Sequence, residues 1–375
     1  MPVTSAQLFS ALECLAPLHL AEDWDRVGLQ VEGRPGRKIS RVFLTIDLVA
    51  ATLDEAMEIG AQAIVAYHPP IFAPLRALRR DGGKSELILR CAERGLHLYS
   101  PHTALDAAPG GINDWLAGLF GPAEVSVIDA RSHLPESEAF KLVVYSPVAV
   151  VDTLREALSR AGAGRIGNYV ECSFAIPGRG SFRGLEGSAP VAGVAGRLED
   201  VDEIRLEMVV GRGQLAEVLA VLRSVHPYEE PAFDLFEQAP RPSTTVGQGR
   251  RLSLKNPLSL EQAVRRVKKG LGLSRLRLAA AERHRAGEPI RRVALCAGAG
   301  GGVLDGQAAD LWLTGEMRHH DVLAAREAGI SVLLAEHTNT ERGYLPVLRD
   351  RLLVALDHKV EVVVSERDAD PLTVV

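Results

Sequence analysis

The sequence predicts an α/β fold in which a mixed, largely parallel-sheet domain is interrupted by an inserted ferredoxin-like α+β domain. Short apolar runs typical of buried strands alternate with segments of helical periodicity in both terminal parts of the chain. Between them, strands and helices are predicted in the order βαβ followed by βαβ, which is the ferredoxin-like pattern. With 375 residues the chain is expected to form two domains, although one large α/β domain would also fit this length.

The first part of the α/β domain comprises residues 1–135. Leu8, Leu12 and Leu15 share one face of a helix predicted at 5–16. The next predicted elements are a strand at 41–47, a helix at 51–59, a strand at 61–66, a helix at 85–94 and a strand at 96–100. This alternation predicts a largely parallel sheet, with functional residues in the loops at the carboxyl ends of its strands.

The inserted domain comprises residues 138–240, and the second part of the α/β domain comprises residues 246–375. Polar, proline-containing stretches at 131–137 and 238–245 mark the two junctions, and the second is predicted to be a linker. In the insert, strands are predicted at 141–146, 169–175, 204–210 and 231–236, with helices at 151–161 and 214–224. In the closing part, helices are predicted at 260–270 and 320–328, with strands at 292–297, 308–313 and 331–335.

The composition excludes several classes of protein. The formal net charge of -5 gives no broad cationic surface, so a nucleic-acid partner is not expected. No apolar run approaches the roughly 20 residues that span a bilayer, and no secretory signal is evident, so we expect a cytoplasmic protein without a membrane partner. The cysteines Cys14, Cys91, Cys172 and Cys296 form no CxxC pair, which predicts reduced thiols instead of a zinc knuckle or a disulfide framework.

Histidines follow two predicted strands of the first part. His68 precedes two prolines, so a stiff turn holds its side chain; it is a candidate metal ligand, or else a histidine that caps the strand end by hydrogen bonding. His102 and Asp106 lie four residues apart after the next strand, and together they can bind a divalent ion or form an acid/base pair. Alternatively, Asp106 caps the following helix.

The closing part carries the same residue types at two more strand ends. His337 and Glu341 follow the strand at 331–335, and in a helix their spacing would place both side chains on one face. Alternatively, Thr338 or Asn339 is a helix N-cap and Glu341 lies in the first turn, where the helix dipole favours an acid.

Glu316, His319 and His320 follow the strand predicted at 308–313. Because adjacent helical residues diverge by roughly 100°, we expect one of the two histidines to support metal ligands from outside the coordination sphere. Four strand ends therefore carry histidine in a chain with only 11 of them, and three have an acid close by. This concentration predicts a metal site of histidine and carboxylate ligands.

Two other motifs leave alternatives open. The glycine-rich residues 298–302 can cradle a phosphate at a helix N-terminus, but they lack the lysine of a P-loop, so a tight strand-to-helix turn is favoured. In the insert, residues 226–230 combine a histidine with two acids. Metal binding is compatible with this motif, and a rigid turn or a subunit contact is at least as compatible.

The motifs at 67–72, 102–106, 164–174, 226–231, 314–320 and 337–341 resemble those of the GTP cyclohydrolase I type 2 homologue family. This family is also called the NGG-interacting-factor-like, or dinuclear metal centre hexameric, family. The matches run in family order from Trp24 to Tyr344. The resemblance implies a homohexamer with paired ions facing an internal cavity, and an insert similar to trimeric regulators of the PII type.

The resemblance also implies a ligand set. His68, Asp106 and Glu341 would bind one divalent ion, and His337 with the shared Glu341 would bind a second, the metal being Zn, Fe or Mn. Many bacterial members have two consecutive histidines before the proline, whereas Tyr67 stands in the first place here. A neutral phenol is a poor ligand, because it must lose a proton of pKa near ~10. We therefore expect one firm ion and a weaker second one.

Two functions are compatible with this family. The first is a divalent-metal-dependent hydrolase that acts on a nucleotide or another phosphate-containing small molecule, in which His102 or Glu316 orients ligands or moves protons. The second is a non-catalytic hexameric metal-binding protein with a regulatory or interaction role. Opening of the GTP ring is implied by the family name alone.

Overall fold

The computed structural model describes residues 2–80 and 82–372. The chain divides into two compact units, one of Met1–Arg131 with Ser243–Val375 and one of Ser132–Pro242. The domain boundaries at 1–135, 138–240 and 246–375 remain our interpretation, and these units lie close to them. Within the described residues, no helix has both the length and the apolar character needed to cross a membrane.

The strands and helices alternate along most of the chain. The strands are β1 (Gly28–Val31), β2 (Arg41–Thr45), β3 (Ala63–Ala66), β4 (His97–Ser100), β5 (Ala123–His133), β6 (Phe140–Pro147), β7 (Ser173–Arg183), β8 (Leu198–Val210), β9 (Phe233–Glu237), β10 (Arg241–Leu258), β11 (Arg277–Ala279), β12 (Ile290–Leu295), β13 (Leu311–Thr314), β14 (Ser331–Leu334) and β15 (Glu361–Val364). The helices are α1 (Ser5–Leu15), α2 (Ala50–Glu58), α3 (Lys84–Arg94), α4 (His102–Ala107), α5 (Ile112–Gly118), α6 (Val151–Arg160), α7 (Leu215–Val225), α8 (Leu260–Leu271), α9 (Glu282–Arg285), α10 (Gly301–Leu304), α11 (His319–Glu327) and α12 (Leu345–Ala355). The predicted mixed α/β fold is confirmed.

The first unit contains two mixed sheets. One has the strand order β1-β4-β3-β2-β15, and the other has the order β11-β14-β13-β12-β10-β5. In the first sheet β2, β3 and β4 run parallel, and in the second β12, β13 and β14 run parallel. The strands β3, β13 and β14 are short, buried and largely apolar, as expected for parallel strands that are buried on both faces.

One hydrophobic core joins the two sheets of the first unit. Leu44 and Val65 of the first sheet lie in the same buried cluster as Leu295, Leu313 and Leu333 of the second. Because a shared core fixes the two sheets against each other, the loops at their carboxyl ends keep a defined mutual position. The metal-site residues predicted from the sequence follow the carboxyl ends of those strands, in loops or in the short helices after them.

The second unit is a four-stranded antiparallel sheet with two helices. Its strand order is β7-β8-β6-β9, and its elements follow the chain order βαββαβ. Leu142, Leu154, Leu206 and Leu222 belong to a separate core between the sheet and α6 and α7. This arrangement supports our interpretation of the insert as ferredoxin-like.

Two local predictions are wrong. Residues 238–245 are not a linker, because β10 begins at Arg241 inside them; Pro242 misled the prediction, since a proline is tolerated at the start of a strand. The strand predicted at 169–175 begins only at Ser173, because Ile166 and Tyr169 pair across a tight turn in which Gly167 has a φ of 55°.

Candidate metal centre

The candidate site lies where the parallel strands of both sheets end. Asp47, His68 and His102 follow β2, β3 and β4, while Glu316 and His337 follow β13 and β14. Adjacent parallel strands end at the same edge of a sheet, so the residues that follow the strands of one sheet lie close together. The shared core brings the two edges together.

His68, His337 and Glu341 form a group that could hold a metal ion. One potential ligand atom from each lies within 4.8 Å of the others. The Nε2 of His68 is 3.4 Å from one carboxylate oxygen of Glu341, and the Nε2 of His337 is 3.4 Å from the other. Two atoms at about 2.1 Å from one tetrahedral ion lie about 3.4 Å apart, so this spacing fits coordination.

The burial of Glu341 is a second sign that this group suits an ion. Its side chain is only 2% exposed, and its Oε2 has no hydrogen-bond partner within the described residues. An unpartnered buried carboxylate oxygen is costly unless a cation compensates it. Gly298 leaves room beside it, because a Cβ there would lie 2.8 Å from Oε1 of Glu341 and 3.1 Å from Nε2 of His337.

Each imidazole of the group is oriented by an acid behind it. The Nδ1 of His68 lies 3.0 Å from Oδ1 of Asp47, and the Nδ1 of His337 lies 2.6 Å from Oε1 of Glu316. These contacts leave both Nε2 atoms facing Glu341, which is the usual arrangement behind metal-binding histidines. Burial lowers the pKa of His68, but the hydrogen bond to Asp47 and the negative charges of Glu341 and Asp47 outweigh it and raise that pKa to about 10.

Tyr67 and Asp106 form a separate buried pair next to this group. The phenol of Tyr67 donates to Oδ1 of Asp106 over 2.7 Å. Burial raises the pKa of the Asp106 carboxyl to about 6, and burial beside that carboxylate also raises the pKa of Tyr67. One oxygen of Asp106 is therefore already engaged by Tyr67.

His102 is held by an acid that the sequence analysis did not select. Its Nδ1 lies 2.8 Å from Oδ1 of Asp25, whose other oxygen accepts from the backbone amide of Thr103 at 3.2 Å. Burial disfavours the Asp25 carboxylate, yet the hydrogen bonds from His102 and Thr103 lower its pKa. The His102 ring centroid is 5.3 Å from that of His68, so this imidazole stands beside the group without belonging to it.

The other predicted residues take different places. His319 and His320 are exposed at the start of α11 with their ring centroids 5.4 Å apart, and their supporting role stays a prediction.

Residues 337–341 do not form an α-helix, because Thr338–Thr340 is a 3-10 turn. In the second unit, His226 lies 3.0 Å from the Tyr145 carbonyl and accepts from the Tyr228 amide, which makes a rigid turn.

The glycine-rich loop acts as a strand-to-helix turn that holds neighbouring segments. The amide of Gly298 donates to Thr340 Oγ1 at 2.8 Å, and that of Gly300 donates to Thr314 Oγ1 at 3.0 Å. Only the four-residue helix α10 follows. The loop therefore packs the ends of β12, β13 and β14 against one another.

Sequence reasoning missed three residues that support the site. Besides Asp25, it did not assign Asp47, although an acid at the end of an apolar strand was visible. It also missed Asn113, whose side chain donates to the Asp106 carbonyl and accepts from the Ala297 amide. Nothing near Asn113 in the sequence indicates this bridge, because its two partners are seven and 184 residues away.

A cavity of about 710 Å³ opens beside the group. Tyr67, His102, Asp106, His337 and Glu341 all line it. Its size falls within the range of roughly 300–1,000 Å³ that is usual for small-molecule sites. The geometry thus combines a candidate ion site, an oriented free imidazole and room for a ligand.

Comparisons of the sequence and of the structure with known proteins match nearly the full length of the chain. A family model described as Duf34/NIF3 (NGG1p interacting factor 3) matches residues 3–371. The chain is 38% identical to NIF3-like protein 1 of Bos taurus, over 98% of this chain and 92% of that protein. It is 35% identical to a GTP cyclohydrolase 1 type 2 homolog of Halalkalibacterium halodurans, over 99% and 98%. A solved Bacillus cereus protein related to NIF3 superposes with a TM-score of 0.81 at 30% identity, covering 99% of this chain and 98% of that one.

Proposed function

Since the chain belongs to the Duf34/NIF3 family, as its motifs predicted, we propose that it is a divalent-metal-dependent hydrolase. Its substrate is a nucleotide or another phosphate-containing small molecule. The observation that carries this proposal is the buried Glu341 carboxylate, which lies between His68 and His337 with one oxygen unpartnered. Zn, Fe and Mn all accept such a set of imidazole and carboxylate ligands.

His68, His337 and Glu341 would hold the first ion. Asp106 would contribute to a second, weaker ion only after Tyr67 releases it, since the phenol now donates to its carboxylate. A divalent ion in this place supplies a Lewis acid that activates water at neutral pH. The resemblance assigned Asp106 to the first ion, whereas the described residues whose ligand atoms lie within 4.8 Å of one another are His68, His337 and Glu341.

His102 is the residue best placed to move a proton. Oδ1 of Asp25 lies 2.8 Å from Nδ1 of His102, so Nε2 of His102 is the nitrogen available to a substrate bound in the cavity. A histidine whose second nitrogen is fixed by a carboxylate keeps one orientation, which is what a general acid or base needs. Glu316 orients His337 in the same way and supports binding of the ion.

Turnover by the metal-loaded protein tests this proposal. The purified chain, loaded with Mn, Zn or Fe, is assayed with nucleotides and with simple phosphoesters. Glu341→Gln keeps the shape of the side chain but removes its charge, so we expect both metal content and turnover to fall sharply. Glu282→Gln, an exposed acid with a side chain that is 89% accessible, is the matched control and should change neither.

A non-catalytic hexameric metal-binding protein is the second candidate. The Tyr67–Asp106 hydrogen bond favours it, because an engaged carboxylate reduces the ligands left for a second ion. Full metal content without turnover of any tested compound would support this regulatory or interaction role. Native mass spectrometry checks the proposed homohexamer, and localisation of a tagged chain checks the proposed cytoplasmic location.

A further inference from the structure

We propose that Trp24 and Phe72 form a binding site for a planar heteroaromatic ring beside the metal-binding group, so that the substrate is recognised by its ring more than by a chain of phosphates. This inference rests on the proposed function, since it names the part of the substrate that the same cavity binds. Both residues line the cavity of about 710 Å³.

The two aromatic side chains are exposed where they meet the cavity. Trp24 is 55% exposed and Phe72 is 46% exposed, and their ring centroids lie 6.0 Å apart with an interplanar angle of 62°. Large apolar side chains left open at the mouth of a polar cavity mark a ligand site, because solvation of their faces is unfavourable. A planar ring can cover one face while contacting the edge of the other.

The backbone on both sides of this aromatic pair is fixed. Trp24 precedes Asp25, whose side chain is fully buried and accepts from the Thr103 amide. Phe72 follows Ile71, whose amide donates to the side chain of Gln30 at 3.2 Å. Because these anchors exist before any ligand arrives, less conformational entropy is lost when a ring binds.

A chain of ring contacts connects the aromatic pair to the metal-binding group. The Trp24 centroid is 6.1 Å from that of His102, and the His102 centroid is 5.3 Å from that of His68. A ring bound on Trp24 is therefore separated from the group by one imidazole. The bond to be broken can then lie on the ring or on its first substituent, within reach of Nε2 of His102.

The charges on the cavity wall oppose a polyphosphate. Five carboxylates line the cavity: Glu22, Asp106, Asp129, Asp305 and Glu341. No lysine or arginine among the residues that the structure describes lines it, and Arg131 pairs with Glu22. Phosphate charge that the bound ion does not neutralise would be repelled by these carboxylates. The same carboxylates can accept hydrogen bonds from the N–H and amino groups of a heteroaromatic ring.

Equilibrium binding to the metal-loaded full-length chain tests this inference. The probes are adenosine and guanosine, with ribose as the ring-free control and GTP as the polyphosphate. We expect a nucleoside to bind, ribose not to bind measurably, and GTP to bind no more tightly than guanosine. Trp24→Ala should weaken nucleoside binding by about ten-fold or more, because base stacking on one aromatic side chain contributes on this scale.

Variants separate ring recognition from a loss of structure. Trp24→Phe keeps an aromatic face and should retain nucleoside binding within a few-fold, while Phe236→Ala, an exposed aromatic residue of the second unit, should not change it. Metal content should be the same in all three proteins. Equal nucleoside binding by Trp24→Ala and the unaltered chain would overturn the inference, and so would a ten-fold preference for GTP over guanosine.

The inference and the proposed function fail in different ways. Nucleoside binding without turnover of any compound contradicts the hydrolase and leaves the ring site supported. Turnover of a ring-free phosphoester, together with no binding of either nucleoside, overturns the ring site and leaves the hydrolase supported.

Discussion

Tyr67 controls whether Asp106 is available to an ion. The phenol donates to Asp106 from a fully enclosed position, with 2% of the residue exposed. Imidazole binds borderline divalent ions without first losing a proton near neutral pH, whereas a phenol does not. Replacing Tyr67 by histidine would therefore add two potential ligands, the new imidazole and the freed Asp106 carboxylate.

Tyr67→His is expected to raise the metal content of the purified chain from about one ion toward two, since it supplies an imidazole and frees Asp106. Inductively coupled plasma mass spectrometry of anaerobically prepared protein measures the stoichiometry. Tyr67→Phe is the control, because it frees Asp106 without adding a ligand. An unchanged stoichiometry in Tyr67→His would contradict this account of the second ion.

The candidate ligands could be predicted from the sequence because each follows an apolar strand. His68, His337 and Glu341 were selected for that reason, and the structure brings them together. Asp25 and Asn113 could not be selected, since they act on partners across loops and their own neighbours carry no signal. The candidate metal ligands could thus be identified from the sequence, whereas the residues that orient the site through hydrogen bonds could not.

A buried acid, Asp310, connects the beginnings of β12 and β13, away from the candidate metal centre. Asp310 accepts from the amides of Arg291 and Arg292 at 2.8 Å each, and from the Arg283 guanidinium at 2.9 Å. Burial opposes ionisation, but these donors outweigh it and lower the pKa of Asp310. The carboxylate form therefore stabilises the folded chain.

Asp310→Asn is expected to lower the free energy of unfolding by about 1–3 kcal/mol at pH 7, because charge-assisted bonds to buried amides are lost. A lowered folded-state pKa gives stability above the unfolded value of roughly 3.9, which disappears as the pH falls through the folded-state pKa. Urea denaturation at pH 7, 4 and 2.5 should show a difference between the two proteins that is constant down to about pH 4 and shrinks below it. A difference that grows toward acid would refute this linkage.

The segment after β15 makes hydrogen bonds and an ion pair with the loops that carry the candidate ligands. Asp368 accepts from the Ile46 amide at 3.0 Å and pairs with Arg342 at 3.3 Å, while Asp370 accepts from the Thr338 hydroxyl at 2.8 Å. Ile46 precedes Asp47, the residue behind His68. Thr338 and Arg342 directly follow His337 and Glu341. The segment therefore restrains both halves of the candidate metal centre.

The double substitution Asp368→Asn with Asp370→Asn is expected to weaken metal binding by roughly 10-fold, as is usual when groups that orient metal ligands are altered. Competition with a chromophoric chelator measures the metal dissociation constant. Asp357→Asn is the control of equal side-chain chemistry, since its exposed carboxylate pairs with Lys359 and lies in neither ligand-bearing loop. Equal affinities would show that the segment does not position the ligands.

Elements with clear periodicity were predicted well, and elements defined by distant pairing were not. The alternation that gives β2, α2, β3, α3 and β4 follows directly from apolar spacing. The long strand β10 was missed because it contains two prolines and two glycines, and because its extension depends on pairing with β12. The strand β15 was missed for a similar reason, since it is fixed by parallel pairing with β2 from the opposite end of the chain.

At the scale of the whole molecule, the two units have separate hydrophobic cores, and both candidate sites belong to the first unit. Among the described residues, the core that joins the two sheets includes none from Ser132–Pro242, and the core of the second unit is built from that segment. His68, His337, Glu341 and the proposed ring site all belong to the first unit. The insert is therefore not needed to build the candidate centre.

Replacing residues 132–242 by a short glycine/serine linker is expected to leave a folded first unit, because β5 and β10 at the cut are neighbours in one sheet. Metal affinity and nucleoside affinity should stay within about two-fold of the full chain, since distant, unconnected sites act additively. Circular dichroism confirms folding before either measurement. A folded deletion protein that loses metal would mean that the insert supplies a ligand or a restraint. Retained metal with lost assembly would instead assign the insert to contacts between copies of the chain.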